Sequence, residues 1–262
     1  MKHLVVCLLL LPGAAQAAAW TQKQDSWQLI AGVIYSNADH SYDAHGRASW
    51  PELFQRMLLT TDTEYGWNDD LTVFVRSETA YVHLRDARTP ATSAFDNAFE
   101  GGARYRAAGD LLADGDVLSV ELSARQADAF NFAYSADAHA GGQDGGFRFL
   151  YGSGFEWRDR TGFFDVEAGY RFLSPPRPDQ SVMDLTAGLW LDQDWMVMAQ
   201  SFNLVSSAAT APYRFFRMHK LELSAVWRMT PGLSLQGGAF FCPMGVNALN
   251  ERGLQLSLWA QF

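Results

Sequence analysis

The chain has 262 residues, a formal net charge of −9 and a mean hydropathy of −0.13. An acidic chain of this kind excludes a general affinity for nucleic acid. The length fits one domain, and no segment after the amino terminus is long and apolar enough for a membrane helix.

Met1-Lys2-His3 is a short basic start, Leu4–Leu11 an apolar run, and Pro12-Gly13 a break. Ala15-Gln16-Ala17 then supplies an A-x-A cleavage pattern. The apolar run is shorter than the roughly 20 residues a spanning helix needs. Residues 1–17 therefore read as an export signal, cut after Ala17 or, at the latest, after Ala19. Residues 18–262 are the exported domain, with 19 bases against 29 acids, a net charge of −10. Cys7 leaves with the signal and lacks the small residues before it that a lipoprotein site needs. Cys242 is then the single cysteine, so no intramolecular disulfide forms, and it reads as a packing residue.

From Trp27 onward the chain repeats one pattern: apolar residues at every second position. In Trp27–Ser36, Trp27, Leu29, Ala31, Val33 and Tyr35 share a face. Glu52–Tyr65 sets Leu53, Met57, Leu59 and Tyr65 against Glu52, Arg56, Asp62 and Glu64. Leu71–Val82 sets Leu71, Val73, Val75 and Tyr81 against Arg76 and Glu78. Phe99–Arg106 opposes Phe99, Ala103 and Tyr105 to Glu100, Arg104 and Arg106. Val117–Arg125 opposes Leu118, Val120 and Leu122 to Glu121 and Arg125. Phe147–Arg158 carries Arg148, Glu156 and Arg158 on its polar face, and Phe163–Phe172 carries Asp165, Glu167 and Arg171. Met183–Leu191 holds Asp184 and Thr186; Trp195–Val205 is apolar on both faces. His219–Arg228 sets Leu221, Leu223 and Trp227 against Lys220, Glu222 and Arg228. Leu233–Phe241 is lighter, with Gly237 and Gly238. Gly253–Phe262 closes the series, with Leu254, Leu256, Leu258, Ala260 and Phe262 on one face.

Connections alternate in length. Gly66–Asp70, Gly109–Asp116, Asp159–Gly162, Asp192–Asp194 and Met229–Gly232 are short. Ala38–Ser49, Leu84–Ala98, Ala127–Gly146, Leu173–Gln180, Ser206–Tyr213 and Cys242–Arg252 are mostly longer. Short periplasmic turns, long external loops and strands near the roughly 9–11 residues that cross a bilayer predict an outer-membrane barrel. The expected fold is all-β: a single up-and-down antiparallel transmembrane β-barrel of about 12 strands, within a range of 10–14. Phe262, ending the last strand on an aromatic, reads as a membrane-assembly signal.

Charges are costly against lipid, so the charged face looks inward. The lumen-facing candidates are Arg56, Glu64, Arg76, Glu78, Arg104, Arg106, Glu121, Arg125, Arg148, Glu156, Glu167, Arg171, Asp184, Lys220 and Glu222. Acids and bases nearly balance. They form either a salt-bridge lattice that fills a narrow lumen or a polar pore lined by both signs. Trp27, Tyr65, Trp67, Tyr81, Trp157, Trp195 and Trp227 lie where an interfacial aromatic girdle would. Trp190 and Trp259 fall on the inner face, where packing or stacking on a solute would use them. The loop Asp39-His40-Ser41-Tyr42-Asp43-Ala44-His45 holds hydrolase residue types. Asp39, His40 and Ser41 are consecutive, however, whereas a triad draws its members from separate elements. The same loop could hold a metal only loosely, and Gly141–Gly146 is a flexible loop that opens no helix. No catalytic residue, metal site or cofactor is expected.

Several segments resemble a group of small Gram-negative outer-membrane barrels. They are Ala19-Trp20-Thr21-Gln22, the run from Glu64 to Val73, Gly169-Tyr170-Arg171-Phe172, Ala199-Gln200-Ser201-Phe202-Asn203, His219–Ser224 and Asn250–Leu254. The group is similar to transporters of the meta-pathway phenol-degradation type, and more closely to XagA-like proteins linked with exopolysaccharide gene clusters. The resemblance implies a passive channel or an accessory protein in envelope transport, linked to exopolysaccharide export. It implies no catalytic residues. Expected partners are outer-membrane lipid and lipopolysaccharide, the barrel-assembly machinery, and a polysaccharide or small solute. A structural or adhesive barrel with a filled lumen is the alternative, and an outer-membrane hydrolase with a loop active site is the third reading.

Overall fold

Twelve strands carry the chain: β1 Trp27–Tyr42, β2 Ala48–Asn68, β3 Leu71–Asp86, β4 Thr92–Gly109, β5 Val117–Ala127 and β6 Gly142–Trp157, then β7 Arg160–Phe172, β8 Gln180–Trp190, β9 Trp195–Ser206, β10 Arg217–Thr230, β11 Leu233–Val246 and β12 Arg252–Gln261. The computed structural model describes residues 18–86, 92–127, 141–209 and 213–262. The export signal and His139, a loop histidine that the sequence places within reach of the outer rim, lie outside the described residues.

Each strand pairs antiparallel with its neighbour in the chain, and β1 pairs with β12 from Gln28↔Gln261 to Asn37↔Arg252. The sheet therefore closes, and every strand has two partners. Lipid offers no hydrogen bonds, so closure is what allows a sheet to cross it. At the seam the backbones of Trp27 and Phe262 exchange two hydrogen bonds, of 2.7 and 3.1 Å. Both strand ends lie at the short-turn rim, the periplasmic end of such barrels. One of the two-residue turns there, Arg158-Asp159, has φ of 49° and 60°, the left-handed pair that matches strand twist in a hairpin.

The wall inverts the arrangement of a water-soluble protein. Leu59, Val75, Phe99, Leu122, Phe149, Leu223 and Leu256 are exposed on the outside, while Thr72, Arg104, Ser119, Glu121 and Asp165 are buried inside. An apolar band around a polar interior is stable only against hydrocarbon, so the protein is an integral outer-membrane β-barrel. Trp27, Trp67, Trp157, Trp195 and Trp227 stand exposed near the periplasmic rim. Trp195 and Trp227 stack with centroids 6.0 Å apart, and Trp27 packs on Tyr65 at 4.6 Å. Tyr81 instead packs on Phe95 at the other end of the wall, with centroids 5.1 Å apart.

Several strands run past their sequence limits. β1 and β2 continue through most of the expected loop Ala38–Ser49, leaving a turn around Asp43–Arg47. There the Asp43 carboxylate accepts from the amides of His45 (2.8 Å) and Arg47 (2.9 Å). The expected glycine loop is also a correction: Gly142–Gly146 is strand, paired with Ser123–Ala127 of β5. Alternation is blind in both places. Beyond the lipid both faces of a strand meet water, and glycine has no side chain to alternate.

Candidate functional site in the lumen

Residues 18–26 precede β1 and turn back into the barrel from the periplasmic rim. Each polar backbone group placed there needs a partner. The Ala19 amide donates to Asp165 Oδ2 (2.9 Å), and the Ala19 carbonyl accepts from Ser119 Oγ (2.6 Å). The Trp20 carbonyl accepts from Arg104 at 3.1 Å, and the Gln22 amide donates to Thr72 Oγ1 at 2.7 Å. The Gln22 side chain donates to Glu64 (2.8 Å) and Gln28 (3.1 Å). These partners come from β1, β2, β3, β4, β5 and β7, so the segment crosses the lumen and ties opposite walls together.

Two glycines make room for it. A Cβ on Gly152 would lie 2.4–2.5 Å from the Trp20 ring, and one on Gly66 would lie 1.9 Å from the Lys23 carbonyl oxygen. Trp20 meets Phe163 edge-on at 6.3 Å. Beside it Phe163, Trp190, Met196, Met198 and Val226 form an apolar cluster inside the barrel, with Trp259 against it. This explains why β9 is apolar on both faces: one faces lipid and the other faces this packing. Trp190 also carries the Arg228 guanidinium 4.0 Å above its ring, and Trp259 donates to Gln236 at 3.1 Å.

Charged residues fill the lumen around the segment. Arg104, with 1 % of its side chain exposed, bonds Glu64 at 2.8 Å and Glu121 at 3.2 Å. Arg76 bridges Asp62 and Glu121, both at 3.0 Å. Arg148 serves Glu167 at 2.6 Å and Asp184 at 3.4 Å. Farther out, Arg125 pairs with Glu78 at 2.7 Å, and Glu251 takes both Arg56 (2.6 Å) and Lys220 (3.1 Å). Glu222 accepts from Gln255. Arg171 has no ion-pair partner among the described residues and faces open space. Two of the expected lumen charges sit elsewhere. Arg106 is half-exposed at the periplasmic rim against Asp70, and Glu156 is exposed at the end of β6 opposite Thr161. Both have inward parity, but the wall ends before the lumen narrows around them.

Open chambers remain among the described residues. One of about 440 Å³ lies mid-barrel, lined by Ala18, Asp62, Arg76, Glu167, Gln200, Gln255 and Trp259 among others. One of about 180 Å³ lies nearer the outer loops, with Arg56, Arg125, Arg171 and Arg177 facing Glu78, Glu100 and Asp144. Glu78 lines both. Arg177 clamps Asp144, with one contact at 2.9 Å.

Outside the spanning strands two carboxylates are tuned. Burial pushes Glu251 up, but the charges of Arg56 and Lys220 overcome this and hold it well below the usual range. Burial likewise pushes Asp116 up, yet the amides of Leu112 and Leu111, the Tyr151 hydroxyl and the Ala113 amide hold it low and pin the β4–β5 turn.

At the outer rim, His40 Nδ1 lies 2.5 Å from Asp39, and its Nε2 lies 2.6 Å from the Asn250 amide. Both ring nitrogens are thus engaged, which leaves neither to activate Ser41. His83 faces outward and contacts Ser93 at 2.8 Å. Among the described residues no group of three or more His, Cys, Asp or Glu is placed to hold a metal.

Residues 18–22, Asp165 and Glu251 are among the participants absent from the expected lumen set. Residues 18–22 are too short a segment to show periodicity. Asp165 shares parity with Glu167 and Arg171, which could have placed it inside. Glu251 lies just outside β12 and gave no strand signal.

No protein-family model and no curated protein matches the chain. Solved structures do. The COG4313 outer membrane channel from Pseudomonas putida F1 superposes with a TM-score of 0.65 at 12 % identity, covering 95 % of this chain and 100 % of its own. The translocator domain of the autotransporter NalP from Neisseria meningitidis gives 0.54 at 13 % identity, covering 92 % and 90 %. The NanC porin gives 0.52 at 10 % identity, covering 88 % and 98 %. At these identities the likeness is one of fold.

Proposed function

We propose that the barrel is a passive channel for small polar solutes, closed toward the periplasm at rest by residues 18–26. One observation carries the reading: Glu78 lines both an outer chamber beneath the loops and a larger mid-barrel chamber that reaches the amino-terminal segment at Ala18. The lining offers both signs of charge and Gln and Ser donors beside the apolar Ile30, Phe163, Met198, Phe202 and Trp259, a mixed wall that suits solutes carrying both hydroxyls and apolar ring faces. The superposition on a channel and a porin supports the same class. The resemblance to XagA-like proteins extends the reading to an accessory role in exopolysaccharide export, for which the segment would have to leave the lumen.

Planar-bilayer recording of the purified barrel tests this. The wild type gives small, brief openings, and a variant lacking residues 18–22 gives larger and longer ones. Silence from both overturns the channel reading and leaves a structural barrel with a filled lumen, the reading that the buried Arg104 cluster favours. Loss of secreted polysaccharide in a deletion strain, restored by the wild-type chain, checks the export role.

A further inference from the structure

We propose that the export cut falls between Ala17 and Ala18, and that the α-ammonium it creates docks inside the barrel as the counter-ion of Asp165. Asp165 is a buried charge without a close cationic partner among the described residues. It is 2 % exposed and makes no ion pair there; its hydrogen bond comes from the Ala19 amide at 2.9 Å. The neighbouring acids do not help. Glu167 stands two residues along on the same inward face of β7, and Asp184 pairs across from Glu167 on β8. Both are served by the single guanidinium of Arg148. Arg148 therefore serves two of the three carboxylates, Arg104 acts on Asp165 only from beyond ion-pair distance, and a buried carboxylate without a close compensating charge is strongly unfavourable.

The missing charge has a source one residue from the Ala19 amide. Ala18 lines the same chamber as Glu167. While Ala18 follows Ala17, its nitrogen is an uncharged amide. Hydrolysis of that bond by the export signal peptidase adds water: hydroxide joins the Ala17 carbonyl carbon, and the Ala18 nitrogen takes the proton and leaves as an amine. With an ordinary α-amino pKa of about 7.7–8.0 it is mainly charged at neutral pH. A cut after Ala19 fits worse. It would delete the amide that bonds Asp165, the carbonyl that accepts from Ser119, and the fully buried methyl packed with Val117 and Leu150. Processing would then complete the lumen: a cation supplied by proteolysis locks the segment that closes the channel.

The test uses the mature barrel from outer membranes and needs no conductance. Sequencing from the amino end should read Ala-Ala-Trp-Thr-Gln-Lys; a chain starting at Trp20, or upstream of Ala18, overturns the proposal. Acylation of the α-amine, followed by mass spectrometry on the peptide 18–23, should be at least tenfold slower in the folded barrel than in urea, where ~1.4 kcal/mol of docking gives that factor. Equal rates overturn it. Asp165→Asn should restore labelling while the barrel keeps its heat-modifiable migration; retained protection in that variant overturns the counter-ion role. Should Asp165→Asn fail to fold, one extra Ala before Ala18 displaces the ammonium instead. Full labelling of that variant supports the proposal, and unchanged protection refutes it.

Discussion

A single methyl group at Gly152 should expel Trp20. The built Cβ would stand 2.4–2.5 Å from two ring atoms and 2.8 Å from the Ala19 Cβ, far inside contact distance. The ring cannot slide far, because Phe163 meets it edge-on and Val117 and Leu150 pack around Ala19. Overpacking of this kind costs about 1–3 kcal/mol. At tenfold per 1.4 kcal/mol, Gly152→Ala should raise the undocked population of residues 18–22 about 5- to 150-fold. Hydrogen exchange of the peptide 18–23 reads this directly, since the Ala19 and Gln22 amides are bonded only while the segment is docked. In a Trp20→Ala background the Gly152→Ala effect should shrink, because the two nearest clashing atoms are gone and only the contact with the Ala19 Cβ remains. Unchanged exchange in a folded Gly152→Ala barrel would refute the docking geometry.

Arg104→Met should destabilise the barrel by about 3–5 kcal/mol in urea titrations. Glu121 keeps Arg76, but Glu64 is left with Gln22 and no cation, so Glu64→Gln in the same chain should recover part of the loss. Glu251 is held low in the folded state, so its contribution is full above the unfolded value of about 4.3 and is lost as pH falls through the folded one. Glu251→Gln should therefore lower stability at neutral pH, and the difference from wild type should shrink in acid, as followed by thermal melts. Deleting Phe262 removes both backbone bonds to Trp27, each worth about 0.5–1.5 kcal/mol. Assembly in the outer membrane, measured as the heat-modifiable fraction, should fall much more than the stability of the refolded protein.

The wall was legible because its physics repeats. Leu254 to Phe262 and most of the eleven earlier segments sort lipid-facing from lumen-facing residues at a period of two, Trp195–Val205 being the exception. The occlusion was not legible. Ala18 to Gln22 form no regular element, and nothing local says that Trp20 belongs beside Gly152, more than 130 residues away. Met196 and Met198 carried a trace of it, since apolar residues on the lumen face of β9 need something apolar to meet. Parity likewise placed Arg106 and Glu156 inside, because it records direction and not depth along the barrel axis.

Residues 23–26 are a tether of four residues between the closing segment and β1. The segment is in effect a ligand carried on the rim of its own receptor. The link is short and itself anchored, the Asp25 amide donating to the Gly66 carbonyl (2.9 Å) and the Gln24 amide to Asp69 (3.0 Å), and even a flexible link of this length gives an effective concentration in the millimolar range. It can therefore hold the lumen shut with contacts that would be weak in a free peptide. Any periplasmic competitor must match it at that concentration or bring better chemistry for Glu64, Thr72 and Asp165. Release is accordingly set less by the strength of the closing contacts than by what could replace them.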